Sequence, residues 1–409
     1  MVYGGVDLPW EWRDPYRIRN ALYPMYLSWP LFILKLLKID YQCLVMMSPY
    51  IAHFPLMMLN DYYLWKIGKK TVGKEATRLA FIMILTNTFM VEYELRCFTN
   101  TLEKICTVIA FNFYLLQKNE FNKNTVIFTM LLTIGFMMRN TSPVGWIPLL
   151  FVKIINDGAF LPFLTSGVFV ALPLIYAIVY IDSVYYMGAN TSSSGTSLES
   201  GQDDKQFEWT FTGYNFLKYN VLDGLSKYFG DHSKFEYINN FLPKDIMKGF
   251  YPFMLIGSYK YFKGKNSPDL VYITGFYILF FSLIGHKENR FLLPVLPFIF
   301  LLTGFSLKDF AVKYPKITKV LFWIMILEEG VMFTIRQSFH HRFWDALEYI
   351  TNYRDEAPHS LYSMHRFETP YYSWLHQKGL GVDEGVNRTK LYLVQQGPSF
   401  ARKAFGAPL

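Results

Sequence analysis

The densest chemistry in the chain lies in the nine residues His286-Lys287-Glu288-Asn289-Arg290-Phe291-Leu292-Leu293-Pro294. His, Lys, Glu and Arg fall within five positions, while the flanks Leu270–Gly285 and Phe291–Phe305 hold no charge. His286, Lys287 and Arg290 can donate to and neutralise negative charge, and Glu288 can pair with Lys287 or Arg290 and orient it. Ionisable groups pressed against a membrane are costly, so such a cluster is a site hypothesis by default. On charge alone a short solvated loop between two helices is the favoured explanation.

The elements around the cluster read as membrane helices. The chain has 409 residues, 52% hydrophobic and 19% aromatic, with 18% charged. That charge is below the roughly 25% usual for soluble domains, and aromatics favour membrane interfaces. Ten apolar runs are expected to cross: Tyr41–Leu59, Leu79–Tyr93, Ile105–Leu116, Thr125–Met138, Pro143–Ile155, Phe160–Met187, Ile246–Phe262, Leu270–Gly285, Phe291–Phe305 and Val320–Ile335. Several fall short of the roughly 20 residues a span needs. Leu22–Leu37, interrupted by Pro24 and Pro30, reads as an interfacial helix. The expected fold class is an all-α polytopic membrane protein. Its organisation is a luminal or interfacial segment 1–40, helices over 41–187, a luminal loop 188–245 with a flexible Ser/Gly/Thr-rich insert, helices over 246–335, and a luminal C-terminal region 336–409.

Basic loops fix the orientation. Lys66–Arg78, Lys118–Lys123, Lys260–Lys265 and Lys308–Lys319 should face the cytosol. The net charge of +8 therefore reads as topology rather than nucleic-acid binding. Parity places Trp10–Arg19, Arg96–Glu103, Arg139–Ser142, Gly188–Asp245 and His286–Arg290 together on the other face, with the tail after Arg336. Three sequons fall there too. Asn190 and Asn387 are the glycosylation candidates, whereas Asn140 sits close to the membrane. Cys43, Cys97 and Cys106 show neither a disulfide framework nor metal-ligand spacing, and His340-His341 and His365 lack accompanying carboxylates, so no metal site is assigned.

Several candidates keep two readings. Arg96 and Glu103 lie seven apart and share a face if Arg96–Lys104 is helical. They then line one cavity, or cap an interfacial helix end as solvated charges. Arg139 either snorkels to the headgroups or helps bind an anion. Trp10, Trp12 and Trp146 read as interface anchors before sugar-stacking platforms.

Ordered motifs add a resemblance. His286-Lys287-Glu288-Asn289-Arg290-Phe291 resembles the HKE-x-RF signature of the glycosyltransferase family 22 mannosyltransferases of the endoplasmic reticulum, and Pro294-Val295-Leu296-Pro297 follows it as in that family. Trp10-Glu11-Trp12 with Arg19 and Tyr23-Pro24 resembles TWEW…RS…YP. Arg96-Cys97-Phe98-Thr99-Asn100-Thr101-Leu102-Glu103 resembles RTLTNTxE, and Arg139-Asn140-Thr141-Ser142 an RPT-type corner. Asn215-Phe216-Leu217-Lys218-Tyr219-Asn220 resembles NFLKFN, which points to the branch adding the third mannose of the GPI-anchor precursor, GPI mannosyltransferase III. Tyr228-Phe229-Gly230-Asp231-His232 and Thr369-Pro370-Tyr371-Tyr372-Ser373-Trp374-Leu375-His376 resemble FYGSH and TPYYSxxH. Ser233-Lys234-Phe235-Glu236-Tyr237 and His365-Arg366 depart from the branch's PWHWY run and Pro-Cys.

The resemblance implies a GT-C-like fold and an inverting transfer of mannose from dolichyl-phosphate-mannose to a GPI-precursor glycolipid, making an α-1,2 linkage on the luminal face. It implies no firmly bound cofactor, leaves metal dependence and protein subunits open, and implies no nucleic-acid partner. His286, Lys287 and Arg290 would face the donor phosphate, and Arg96, Glu103, Arg139, Trp10, Trp12, Asn215 and Lys218 would contact substrate. Glu288 and Glu11 are the candidate catalytic carboxylates, although the family's base would lie in an acidic luminal loop before the TWEW stretch. This chain begins nine residues before Trp10, so that loop and a preceding helix are expected to be missing. An incomplete chain is favoured over an inactive homologue. Other readings are the fourth-mannose GPI enzyme, an N-glycan-precursor α-1,2 or α-1,6 mannosyltransferase, and a lipid transporter. No inverted repeat supports the transporter.

Overall fold

The computed structural model describes residues 10–193, 207–223, 232–265, 267–352 and three short strands beyond. Two compact units are distinguished, one essentially 11–326 and the other 327–409 with the first residues. The first is wholly helical among its described residues. In chain order its helices are α1 (Leu22–Leu27), α2 (Trp29–Leu37), α3 (Gln42–Thr71), α4 (Lys74–Thr86), α5 (Thr88–Leu95), α6 (Thr99–Leu116), α7 (Lys123–Met138), α8 (Ile147–Asp157), α9 (Phe160–Ser166), α10 (Leu172–Ser193), α11 (Thr212–Phe216), α12 (Tyr251–Lys263), α13 (Asp269–Leu283) and α14 (Leu296–Lys313), followed by the start of α15 (Pro315–Asn352). The second unit holds most of the residues after Ile326 and a small sheet ordered β2-β1-β3, built from β1 (Ser360–Tyr362), β2 (Gly381–Val382) and β3 (Tyr392–Leu393). That sheet departs from the all-helical expectation.

Local chemistry explains the breaks. The run Leu22–Leu37 divides at Ser28, one residue before the Trp29-Pro30 pair that opens α2. The run Leu79–Tyr93 divides at Asn87, whose side chain leaves the helix and accepts the Met90 amide as the N-cap of α5. Asn122 caps α7 in the same way, taking the Asn124 and Thr125 amides. The run Pro143–Ile155 yields only a 3₁₀ turn, Ser142–Trp146, and the 11-residue α8, closed by Gly158 in the left-handed conformation.

Among the described residues, two stretches are long and apolar enough to cross a membrane, Cys43–Thr71 and Phe160–Gly188. The second runs through α9, a π-helical turn at Gly167–Ala171 and α10. Its apolar window is only 11% buried. A soluble core helix buries such a window, so apolar side chains turned outward are the pattern expected against lipid. Phe32, Phe54, Leu85, Phe151 and Phe169 extend exposed apolar surface over α2, α3, α4, α8 and the π turn.

The core sits around α6 and α14, which bury residues on nearly all sides. Close packing there requires missing side chains. A Cβ on Gly304 would lie 2.3 Å from the Ala76 carbonyl oxygen, and one on Gly257 would lie 2.0 Å from that of Leu302. Small residues let helix backbones approach this closely. Gly304→Ala should therefore lower thermal stability in detergent by about 1–3 kcal/mol through overpacking. Gly275→Ala, with open space around its position, should hold or raise it. Equal melting temperatures for the two variants would contradict this packing. Trp146 is not an interface anchor: it is buried among Phe111, Tyr114 and Phe128.

Candidate functional site

The segment 286–290 connects α13 to α14 and folds onto its own charges. Glu288 receives His286 Nε2 at 3.1 Å and Arg290 Nη2 at 2.9 Å on one oxygen, and pairs with Arg290 Nε at 2.5 Å on the other. Burial alone would push the Glu288 carboxyl up. Hydrogen bonds from His286 and Arg290, with the Arg290 charge, outweigh it and hold the carboxyl at about 2. Lys287 is 2% exposed and turns back to donate to the Ile284 carbonyl, at the C-terminal end of α13. A cation there satisfies an orphan carbonyl and complements the helix dipole.

The depressed Glu288 pKa has a direct consequence for acid stability. A carboxylate whose folded pKa lies below its ordinary 4.5 stabilises the fold fully above that ordinary value. It loses that contribution as pH falls toward the folded value. The melting-temperature advantage of the wild type over Glu288→Gln should thus persist from pH 7 to about 4.5 and shrink only below. An advantage that disappears between about pH 7 and 5 would contradict the pairing.

Neighbouring elements hold this segment in place. Asn100 Nδ2 donates to the Arg290 carbonyl at 3.2 Å, and Arg139 Nη1 donates to Asn100 Oδ1 at 3.1 Å. Arg139 Nε pairs with Glu103 at 2.9 Å, and its guanidinium stacks 4.9 Å from the Phe291 ring centre. Tyr277 donates to the other Glu103 oxygen at 3.1 Å. Tyr237 donates to the Glu288 carbonyl at 3.4 Å, the His232 amide to that of Gly285 at 3.0 Å, and Asn289 to Asp245 at 2.8 Å.

A second group adjoins the first. Glu11 receives Arg19 as a fork, at 2.9 and 2.6 Å. Burial disfavours the Arg19 charge, but Glu11, with lesser help from Tyr186 and Glu288, keeps it more firmly protonated than a free arginine. Trp12 packs on Tyr185 and Tyr186 with ring centres 5.7 and 6.2 Å away. The corner Arg139-Asn140 also reaches α11, where Asn140 donates to the Gly213 carbonyl at 3.1 Å. A cavity of about 410 Å³ opens beside them, lined by Trp12, Arg19, Asn20, Tyr23, Pro24, Leu27, Ser28, Leu31, Pro49, Cys97, Thr99 and Met138. Arg19 is the one charged residue in that lining. The arrangement offers an apolar slot with a fixed cation in its wall, next to a loop rich in hydrogen-bond donors.

Residues 1–376 match the Alg9-like mannosyltransferase family over most of the chain's length. The chain belongs to this family. It is 29% identical over 391 residues to GPI alpha-1,2-mannosyltransferase 3 of Bos taurus, covering 92% of this chain and 65% of the relative. The protein of that name in Homo sapiens is 30% identical over 75% of this chain and 51% of its own length. GPI mannosyltransferase 3 of Yarrowia lipolytica is 25% identical over 92% of this chain and 68% of its own. The chain thus spans about half to two thirds of these relatives. In fold it is similar to ArnT from Cupriavidus metallidurans, solved with undecaprenyl phosphate, with a TM-score of 0.50 at 13% identity over 72% of this chain and 50% of that one.

The candidate residues of this Alg9-like chain fall into three sets. His286, Glu288, Arg290, Arg139 and Glu103 share one bonded network, and Glu11, Arg19 and Trp12 share another. The remainder are engaged elsewhere. Arg96 and Glu103 do not share a helix: Arg96 is the extended C-cap of α5, and α6 begins only at Thr99. Arg96 pairs with Glu92, while Glu103 is 0% exposed and holds Arg139. A substrate contact for Glu103 is thereby replaced by an internal one. Arg139 does not snorkel; it folds inward. Asn215 is spent on the Arg17 carbonyl at 3.2 Å, and Lys218 is exposed over the Tyr219 ring. The side chains of Trp10 and Asn190, and the whole of Asn387, lie outside the described residues. Among the described residues, no three His, Cys, Asp or Glu side chains gather to hold a metal ion.

Glu288 and Glu11 are also poorly matched to base catalysis. A general base works best with a pKa near the operating pH. Glu288 is held at about 2, and both carboxylates spend both oxygens on arginine. Their role here is to orient Arg290 and Arg19. Sequence reasoning misses Asp182, Asn20, Asn100, Tyr237 and Tyr277. Asp182 carries a signal, since it is the sole charge in Phe160–Met187. Asn100 and Tyr237 lie in stretches already compared with the family, without a charge to single them out, and Asn20 and Tyr277 are uncharged residues with no local pattern to mark them.

Proposed function

We propose that the chain belongs to an enzyme that transfers mannose from dolichyl-phosphate-mannose to a GPI-anchor precursor, adding the third mannose through an α-1,2 linkage. The observation that carries this reading is Arg19, the one charged residue lining a largely apolar cavity and near enough to Glu288 to feel its charge. A phosphate on a long apolar tail has that chemistry: the cavity takes the first part of the tail and the guanidinium the charge. Family membership and the named function of the relatives support the choice of mannose and of the GPI precursor.

The reaction is an inversion. The acceptor hydroxyl attacks the anomeric carbon, its proton passes to a carboxylate base, and the lipid phosphate departs from the opposite side. Charge develops on the departing phosphate oxygen as the sugar gains oxocarbenium character. Arg19 and Arg290, held by Glu11 and Glu288, are the fixed donors that stabilise that charge without reorganising. The base is assigned to neither Glu11 nor Glu288. Transfer takes place on the luminal side of the endoplasmic reticulum membrane, a reading supported by the sequence parity that sets the basic loops on the face opposite His286–Arg290.

The test is complementation of cells lacking the third-mannose GPI transferase by the full-length protein. Return of GPI-anchored proteins to the cell surface is expected. Continued accumulation of the two-mannose precursor despite normal expression would overturn the assignment. A tag at Leu409 should also resist protease in sealed microsomes and become sensitive when detergent opens them. Digestion without detergent would reverse the orientation.

A further inference from the structure

Asp182 lies on α10, far in sequence from every motif discussed above, and is 0% exposed. Its Oδ2 accepts Asn20 Nδ2 at 2.8 Å and the Thr212 hydroxyl at 3.1 Å, and its Oδ1 accepts the Ala21 amide at 2.8 Å. These three donors are neutral. A buried carboxylate is expensive to place, and it persists where something depends on its geometry.

What depends on it is the turn that carries Arg19. Asn20 and Ala21 are fixed by Asp182. One helical turn further along α10, Tyr186 donates to the Arg19 carbonyl at 2.6 Å. Arg19 is thus pinned on both sides: its guanidinium forks to Glu11, and the residue is part of the cavity wall. The same side of α10 also holds the strip around Thr210, whose amide donates to Ser183 Oγ at 2.8 Å.

Hydrogen-bond logic requires a carboxylate and not an amide at this position. Asn20 cannot flip, because its Oδ1 already accepts the Leu22 amide at 2.9 Å. Its Nδ2 must therefore face position 182, as must the Ala21 N–H. An asparagine at 182 offers one acceptor and one donor group, so either orientation sets two donors against each other. A buried donor left without an acceptor costs its full desolvation.

We propose that Asp182 is a positioning residue for the polar end of the cavity, acting through Asn20 and Ala21 to aim Arg19 at the anionic group of a lipid phosphate. The inference rests on the lipid-phosphate part of the reading above and not on the sugar transferred.

The test measures binding of dolichyl phosphate, without sugar, to the detergent-solubilised full-length protein, alongside melting temperature. Asp182→Asn should weaken binding about tenfold, and Arg19→Ala should weaken it comparably. Their combination should be no weaker than Arg19→Ala alone, because both act on one contact. Asn20→Asp with Asp182→Asn exchanges acceptor and donor and should bind as the wild type does, even if Asp182→Asn alone folds poorly. Losses that multiply in the double variant would overturn the inference, as would an exchange variant that folds but binds no better than Asp182→Asn. Because no mannose is transferred in this experiment, failure of the transfer assignment leaves its result legible.

Discussion

Replacing Arg290 by alanine in the full-length protein should lower mannose transfer by a factor of roughly 10²–10³ while leaving expression near wild type and lowering the melting temperature about as much as Glu288→Gln does, since both break one ion pair. The size is that found when one fixed donor to a developing oxyanion is removed. Arg290 has a partly exposed side chain, anchored at one end by the bond from Asn100 to its carbonyl and at the other by Glu288. Its guanidinium lies 5.4 Å from the Phe98 ring centre. The fork is thus preorganised without being buried, which is why its loss should fall on rate more than on folding. Arg290→Lys keeps the charge but loses the two-pronged geometry, and should recover only part of the rate. Wild-type turnover by Arg290→Ala would remove Arg290 from the phosphate role. Lys287→Ala is a less clean probe, because the Lys287 ammonium serves a buried carbonyl of the fold.

Arg139→Ala should act mainly on stability. Arg139 is the cation paired with Glu103, which is completely buried and would keep the Tyr277 hydroxyl after the substitution. Removing one partner of a buried ion pair costs on the order of 3–5 kcal/mol, because the other charge stays desolvated. Loss of the folded protein on detergent extraction, or a drop of many degrees in melting temperature, is expected. Arg139→Met combined with Glu103→Leu removes both charges and should restore most of that stability. An Arg139→Ala protein that melts with the wild type would contradict the pair. The restored double variant should still transfer poorly, since Asn100 would lose the Arg139 contact that steadies its bond to Arg290.

Charge concentration is legible in the sequence, but not what each charge touches. The cluster 286–290 stands out because its flanks are uncharged, and it does form a bonded unit. Two helix ends also follow local rules. The interruption between α1 and α2 sits beside the Trp29-Pro30 pair, and α8 stops after Asp157 where Gly158 takes the left-handed conformation.

What stays hidden depends on tertiary contact. The spacing of Arg96 and Glu103 presumes one continuous helix, but the chain is extended at Arg96 and Phe98 and the helix restarts at Thr99. Glu103 instead meets Arg139 and Tyr277, partners that no periodicity connects. Trp146 reads as an interface residue because tryptophan favours membrane interfaces, yet the aromatic cluster of Phe111, Tyr114 and Phe128 takes it into the core. Asp182 is visible as a lone charge in an apolar run, and only its bonds to Asn20, Ala21 and Thr212 give it a task.

The most direct test of the central claim is transfer by the purified full-length protein. It would be supplied with dolichyl-phosphate-mannose and a GPI precursor carrying two mannoses. The account predicts a product one hexose larger, from which an α-1,2-specific mannosidase removes the added sugar. No added hexose, or one that resists that mannosidase, would contradict it.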